Sequence, residues 1–140
     1  MIIAWKIILA DIMAEQLKTQ TVVVGGGPAG LGFAIAMAKH SDQEVYLLEK
    51  GQSVGNHLIS GSVMDPSAMD ELIPEWREEF LEKELVTEDL FYYFTEQQAY
   101  RLPHLPNSSQ KNCFVLSLSK LCRYMAQKAE QLGVQILNGY

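Results

Sequence analysis

The run VVVGGGPAGLG, residues 22 to 32, constrains the fold more than any other stretch of the chain. Thr21 to Val24 is a β-branched run that stops at glycines, the mark of a buried parallel strand rather than an alternating, half-exposed one. Ala29 to Lys39 is rich in helix formers, and Pro28 stands at its start, where a missing backbone N–H leaves no bond unmade. Val45 to Leu48 is a second short apolar run. Strand, helix and strand within about thirty residues make one βαβ crossover. The chain therefore opens with a Rossmann-like half of the α/β class.

Each glycine of Gly25-x-Gly27-x-x-Gly30 has its own physical role. Gly25 allows the tight turn out of the strand. Gly27 lacks a Cβ, so the backbone can come within hydrogen-bonding reach of a pyrophosphate held on the positive end of the helix dipole. Gly30, beside Ala29 and one turn on, lets the helix pack close to the strands. Glu49 ends the second strand 24 positions after Gly25, close to the ~20 expected for the acid that accepts hydrogen bonds from an adenosine ribose. A carboxylate there repels a 2′-phosphate, so NADP is not expected. The motif does not separate NAD from FAD; it identifies the adenosine diphosphate half they share.

Downstream, GQSVGNHLISGSVMDP reads as loop with no apolar period. Two short helices are expected between Pro66 and about Glu82, with Met69, Leu72, Ile73, Trp76, Phe80 and Leu81 as their apolar positions. Pro74 separates them, because the residue before a proline resists helix. Residues 90 to 95 and 99 to 102 read as an aromatic-rich antiparallel hairpin, and HLPNSSQKN as loop. Ser117 to Leu132 is a helix with Leu118, Leu121, Cys122, Met125, Ala129 and Leu132 on one stripe and Gly133 as its stop. Val134 to Leu137 is a last strand.

At 140 residues, 48% hydrophobic and 20% charged, the chain has material for one core. An enzyme that encloses both a dinucleotide and a second substrate usually needs a further domain or a long insertion. The net charge of −6 argues against nucleic acid as a partner, since phosphate backbones are bound by clustered Lys and Arg. From Asp65 to Asp89 ten acids face two cations, Arg77 and Lys83; such a run is a solvated helix face or a partner-facing surface. Cys113 and Cys122 match no metal or redox spacing. Cys122 falls on the apolar stripe, where a thiol behaves as a small hydrophobe. Residues 1 to 20 are broken by Lys6 and Asp11, short of the ~20 apolar residues of a membrane span, and show no secretory or transit pattern. They read as a leader or an N-terminal packing or interfacial helix, ahead of a nucleotide-binding region over 21 to 140.

GGGPAGLG followed by YLLEKG resembles the glutathione-reductase-like flavoproteins, in which this unit binds the ADP part of FAD. The stretches EKGQSVGNHLISGSVMDPSAMDELIPEWREE, VTEDLFYYFTEQQAYRLP and VLSLSKLCRYMAQKAEQLGVQILNGY resemble, more narrowly, the start of the electron transfer flavoprotein-ubiquinone oxidoreductase family, over about residues 21 to 140. The resemblance implies FAD as cofactor, with Gly25, Gly26, Gly27, Ala29, Gly30, Glu49 and Lys50 in its binding segment, and Ser60 and Gly61 as weaker candidates in a loop over the nucleotide. It implies electron transfer flavoprotein and ubiquinone as partners. It also implies an iron-sulfur cluster whose ligands lie outside this chain, and a peripheral place on the cytoplasmic side of a bacterial inner membrane.

Residues 59 to 80, with Met64, Met69, Leu72, Ile73, Trp76 and Phe80, would supply the membrane-contacting surface; read without the resemblance, the same side chains are ordinary core. His57 reads as a structural or solvent-facing histidine, with no carboxylate or thiol evident to pair with it. NSSQKNC replaces the family's Asn-His-Gly-Asn run, and Ser119 stands where glycine is common. The chain is expected to be the FAD-binding N-terminal fragment of an oxidoreductase, inactive alone and with no catalytic residue of its own. The alternatives are an NAD-binding Rossmann domain of a dehydrogenase or a truncated non-catalytic product.

Overall fold

The computed structural model describes residues 19–59, 61–103 and 110–140. The leader expected at the N-terminus, Ser60 and most of the HLPNSSQKN loop lie outside the described residues. The crossover forms as the glycine motif requires: β1 (Thr21–Val24), α1 (Pro28–His40) and β2 (Val45–Glu49). With β8 (Gln135–Asn138) they give a parallel sheet in the order β1-β2-β8. The register sets Val24 beside Leu48 and Glu49 beside Asn138. The carboxyl ends of all three strands thus reach one edge of the sheet.

β1 is a strand but is not buried on both faces. Val23 is in the core, whereas Val22 and Val24 are exposed, Val24 to 82%. Helices α1 and α4 (Leu118–Gln131) pack together over one face of the sheet; among the described residues, nothing covers the other face at β1. α4 buries Leu121, Cys122, Met125, Ala126 and Ala129; Leu118 is only partly buried, and Ala126 joins the expected stripe. Leu132 departs from it and is exposed, because the chain leaves the helix there: Gly133 takes a φ of +93° and Val134 donates back to the Ala129 carbonyl at 3.0 Å.

A second sheet corrects the expectation of a loop over 51 to 66. β3 (Ser62–Met64), β4 (Lys83–Leu85) and β7 (Phe114–Leu116) pair antiparallel in the order β3-β7-β4. Strands this short carry too few residues for an alternating pattern to stand out; in β7 it is Phe114 and Leu116 in, Val115 out. The helix expected to run to about Glu82 is likewise shorter. α2 (Ser67–Leu72) forms as expected, but α3 (Trp76–Glu79) lasts one turn. Lys83 then folds its ammonium onto the carbonyls of Phe80 and Arg77, the latter at 2.6 Å, and its own segment pairs with β7. Pairing to β7 outweighs the helix preference of Glu, Leu and Lys.

Trp76 centres this part of the core. Its ring is fully buried and meets Phe114 edge to face at 5.4 Å, while its indole N–H donates to Asp70 at 2.7 Å. Met69, Ile73 and Phe80 are buried with it, and Met64 and Leu72 pack against the same cluster. The segment read from the resemblance as a membrane-contacting surface is thus mainly core, and its exposed large apolar side chains are Ile59 and Val63.

The acidic run also has an internal use. Lys128 of α4 lies 2.6 Å from Glu79 and 3.4 Å from Glu75, Lys120 lies 2.7 Å from Glu82, and the Tyr124 hydroxyl donates to Glu79 at 2.8 Å. Glu75, Glu79 and Glu82 thus pair across to α4 while their side chains stay open to water, 51%, 42% and 57% exposed, as expected of a solvated face.

The hairpin forms where the aromatics predict it, as β5 (Phe91–Phe94) and β6 (Ala99–Leu102). Every one of its strand residues is exposed. The register puts Phe91, Tyr93, Tyr100 and Leu102 on one face and Tyr92, Phe94, Ala99 and Arg101 on the other.

Candidate functional site

The glycine turn at the carboxyl end of β1 is bare and rigidly set. Gly25 has a φ of +102°, a conformation that side chains resist, and its amide donates to the Leu48 carbonyl at 2.8 Å. Gly27 caps α1 with Pro28 behind it. A Cβ at Gly27 would meet nothing within 4 Å, so the space in front of it is open. Leu31 makes the first helical bond, to the Gly27 carbonyl at 3.0 Å; the amides of Ala29 and Gly30 precede it, with no partner inside the helix. At Gly30 a Cβ would lie 2.0 Å from the Gly25 carbonyl oxygen and 3.3 Å from Val23. Close packing of helix on strand is therefore what Gly30 permits, and open approach is what Gly27 permits.

Glu49, at the end of β2, turns towards this loop. One carboxylate oxygen accepts the Gly26 amide at 2.8 Å and the other the Gly51 amide at 2.7 Å. The Gly51 amide chiefly holds the carboxyl below the usual range, helped by Gly26, His57 and Lys50 against the opposing effect of burial. Its side chain is 12% exposed. Glu49 is thus ionised, fixed and still open to the cleft in front of it. Each oxygen has given one amide a lone pair and keeps capacity for another donor.

That cleft, about 330 Å³, runs from Gly25, Gly26 and Gly27 past Glu49 to Lys50, His57 and Tyr140. It lies at the lower end of the ~300–1,000 Å³ typical of ligand sites, a size for the nucleotide half of a dinucleotide. Of the residues expected at the site, Gly25, Gly26, Gly27, Glu49 and Lys50 line it directly, and Ala29 and Gly30 form the helix start behind it. Gly61 is described but is not among the cleft's lining residues.

Two residues of the cleft were not legible as such in the sequence. Tyr140 is brought in by β8, its amide donating to the Glu49 carbonyl at 3.1 Å while Gly139 bonds Glu49 and Gly51. His57 faces solvent as expected, with 57% of its side chain exposed, but the expectation that no carboxylate accompanies it is corrected: Nδ1 lies 3.9 Å from Glu49. The loop from Gly51 folds back over the end of β2, which a linear spacing does not reveal. Cys122 is buried, and burial, then the charge of Glu49, pushes its thiol up to about 11, which makes it a poor nucleophile. Among the described residues no three His, Cys, Asp or Glu side chains gather as a metal site.

Comparisons with known proteins bear on the fold and the family. Residues 23–71 match the family model of an NAD(P)-binding Rossmann-like domain. Over 139 residues, 95% of this chain, the sequence is 40% identical to the mitochondrial electron transfer flavoprotein-ubiquinone oxidoreductase of Arabidopsis thaliana. It is 36% identical to the enzyme of the same name from Pseudomonas aeruginosa over 136 residues, 90% of this chain. The resemblance read from the sequence is borne out, and the similarity falls on the amino-terminal portion of these relatives. The chain spans 22% and 25% of their respective lengths. Among solved structures, the FAD-dependent chondrochloren halogenase of a myxobacterium superposes with a TM-score of 0.55 at 18% identity, over 86% of this chain and 28% of its own, a likeness of fold.

Proposed function

We propose that this chain is the part of a flavoprotein oxidoreductase, of the electron transfer flavoprotein-ubiquinone oxidoreductase type, that holds the adenosine diphosphate half of FAD. The observation that carries this reading is the joint placement of an open glycine turn and an ionised carboxylate on one cleft. The pyrophosphate would rest on the amides around Gly27 and the start of α1, where a Cβ meets nothing within 4 Å. The ribose would be held by Glu49, with Lys50 and Tyr140 at the base end. These residues fit the nucleotide half of the cofactor. When bound, FAD supplies a ring that accepts and passes on electrons, while the protein's share is placement and electrostatics.

The relatives' names support electron transfer flavoprotein as donor and ubiquinone as acceptor of the whole enzyme. An iron-sulfur cluster is implied by the resemblance alone, which puts its ligands in parts of such an enzyme outside this chain. No helix among the described residues is long and apolar enough to cross a membrane. Peripheral membrane contact through residues 59 to 80 would fall to Ile59 and Val63.

The test is calorimetric titration of the purified chain with FAD, ADP, NADH and adenosine 2′,5′-bisphosphate. Binding of FAD and ADP, loss of both in Glu49→Gln, and rejection of the 2′-phosphate are expected. Affinity for NADH with none for FAD would favour the second reading, a nicotinamide-binding Rossmann domain, which the family model's description supports.

A further inference from the structure

The 3.9 Å between His57 Nδ1 and Glu49 is too long for a hydrogen bond. It suits a group held between them. A hydroxyl oxygen about 2.8 Å from each would donate to the carboxylate, which only accepts, and accept from the imidazole N–H. Two further features keep this gap as it is. Gly51 closes it on the main-chain side without filling it; a Cβ there would lie 2.9 Å from Glu49 and 3.2 Å from Nδ1. The loop that carries His57 is fastened to α4, with Ser119 Oγ donating to the Gly55 carbonyl at 2.7 Å and Arg123 Nε to the Val54 carbonyl at 3.4 Å. At Gly55, with a φ of +87°, a Cβ would come within 2.7 Å of the Ser119 carbonyl oxygen, so the contact between loop and helix is tight.

We propose that His57 and Glu49 form a bracket for one ribose hydroxyl of the bound nucleotide, and that Ser119 is a positioning residue that holds His57 in place from α4. The inference rests on the dinucleotide reading above and deepens it. His57 is then a specificity-determining residue for ribose over deoxyribose. The bracket adds a second hydrogen bond to a hydroxyl that Glu49 alone would grip once.

The test is calorimetry of the full chain with ADP, 2′-deoxy-ADP and 3′-deoxy-ADP. One of the two deoxy nucleotides should bind about tenfold more weakly than ADP, the loss expected for a hydrogen-bonded hydroxyl at a charged partner. His57→Ala should weaken ADP several-fold and leave that deoxy nucleotide unchanged. Ser119→Ala should weaken ADP in the wild-type background but not alongside His57→Ala, and Ser119→Thr should restore it. Equal weakening of ADP and both deoxy nucleotides by His57→Ala, or none at all, would overturn the bracket, since a structural or stacking role does not read the hydroxyl. Additive effects of Ser119→Ala and His57→Ala would overturn the positioning role. If ADP binds the wild-type chain and His57→Ala changes nothing, only the bracket fails. If ADP does not bind the wild-type chain, the dinucleotide reading fails first and the bracket with it.

Discussion

At the scale of single residues, the glycines of one turn are separated by what a methyl group would meet. Gly30→Ala would drive a Cβ to 2.0 Å from the Gly25 carbonyl, and overpacking of this kind costs about 1–3 kcal/mol. Gly27→Val, at an ordinary negative φ of −80° and facing open space, should leave the fold intact and block the nucleotide. Urea denaturation and ADP titration of both variants check the pair: Gly30→Ala should lower the unfolding midpoint, and Gly27→Val should abolish binding at an unchanged midpoint. These roles were legible in the spacing alone, because each glycine answers a local demand of the strand-turn-helix. The environment of His57 was not, since its neighbour Glu49 lies eight positions back and meets it only through the fold of the intervening loop.

At the scale of elements, the α2–α3 segment is tied by a charge cluster on the rim of the Trp76 core. Asp70 accepts from Arg77 Nε and Nη2 and from the Trp76 indole, each at 2.7 Å. The Arg77 bonds, then the Trp76 bond, hold its carboxyl at about 2, below the 3.8 of a free aspartate. A depressed folded-state value means the unfolded chain binds the proton more readily in this window. The contribution of Asp70 to stability is therefore complete above about pH 4 and drains away as the pH falls towards 2. Unfolding midpoints of the wild type and Asp70→Asn, measured from neutral pH downwards, should differ at neutrality and converge over that window. A gap that stays constant with pH would show that Asp70 acts through shape and not charge. The sequence placed Met69, Ile73 and Trp76 correctly in the core. It did not show that the second helix would stop after one turn, because the partner strand β7 lies about thirty residues further along and its pairing decides the matter.

At the scale of the whole molecule, a well-packed core coexists with apolar surface left in water. The hairpin β5-β6 exposes aromatics on both faces, with Phe94 at 70%, and β1 exposes Val22 and Val24. Two-stranded hairpins have little stability of their own, and exposed apolar strands invite association. The chain should therefore self-associate with rising concentration, and Tyr93→Lys with Phe94→Glu should suppress this without lowering the unfolding midpoint; light scattering with circular dichroism reads both. What the sequence determined by itself is the βαβ unit, its bare turn, the acid at the end of β2 and the buried stripe of α4. Each of these follows from neighbours within a turn or two, or from a periodicity that one element displays alone. What only the tertiary structure decided is the second sheet, the pairing of Glu75 and Glu79 with Lys128, and the meeting of Glu49, His57 and Tyr140 on one cleft. Those depend on contacts between distant segments, whose free energy of burial and pairing exceeds the weak preferences that any short stretch carries.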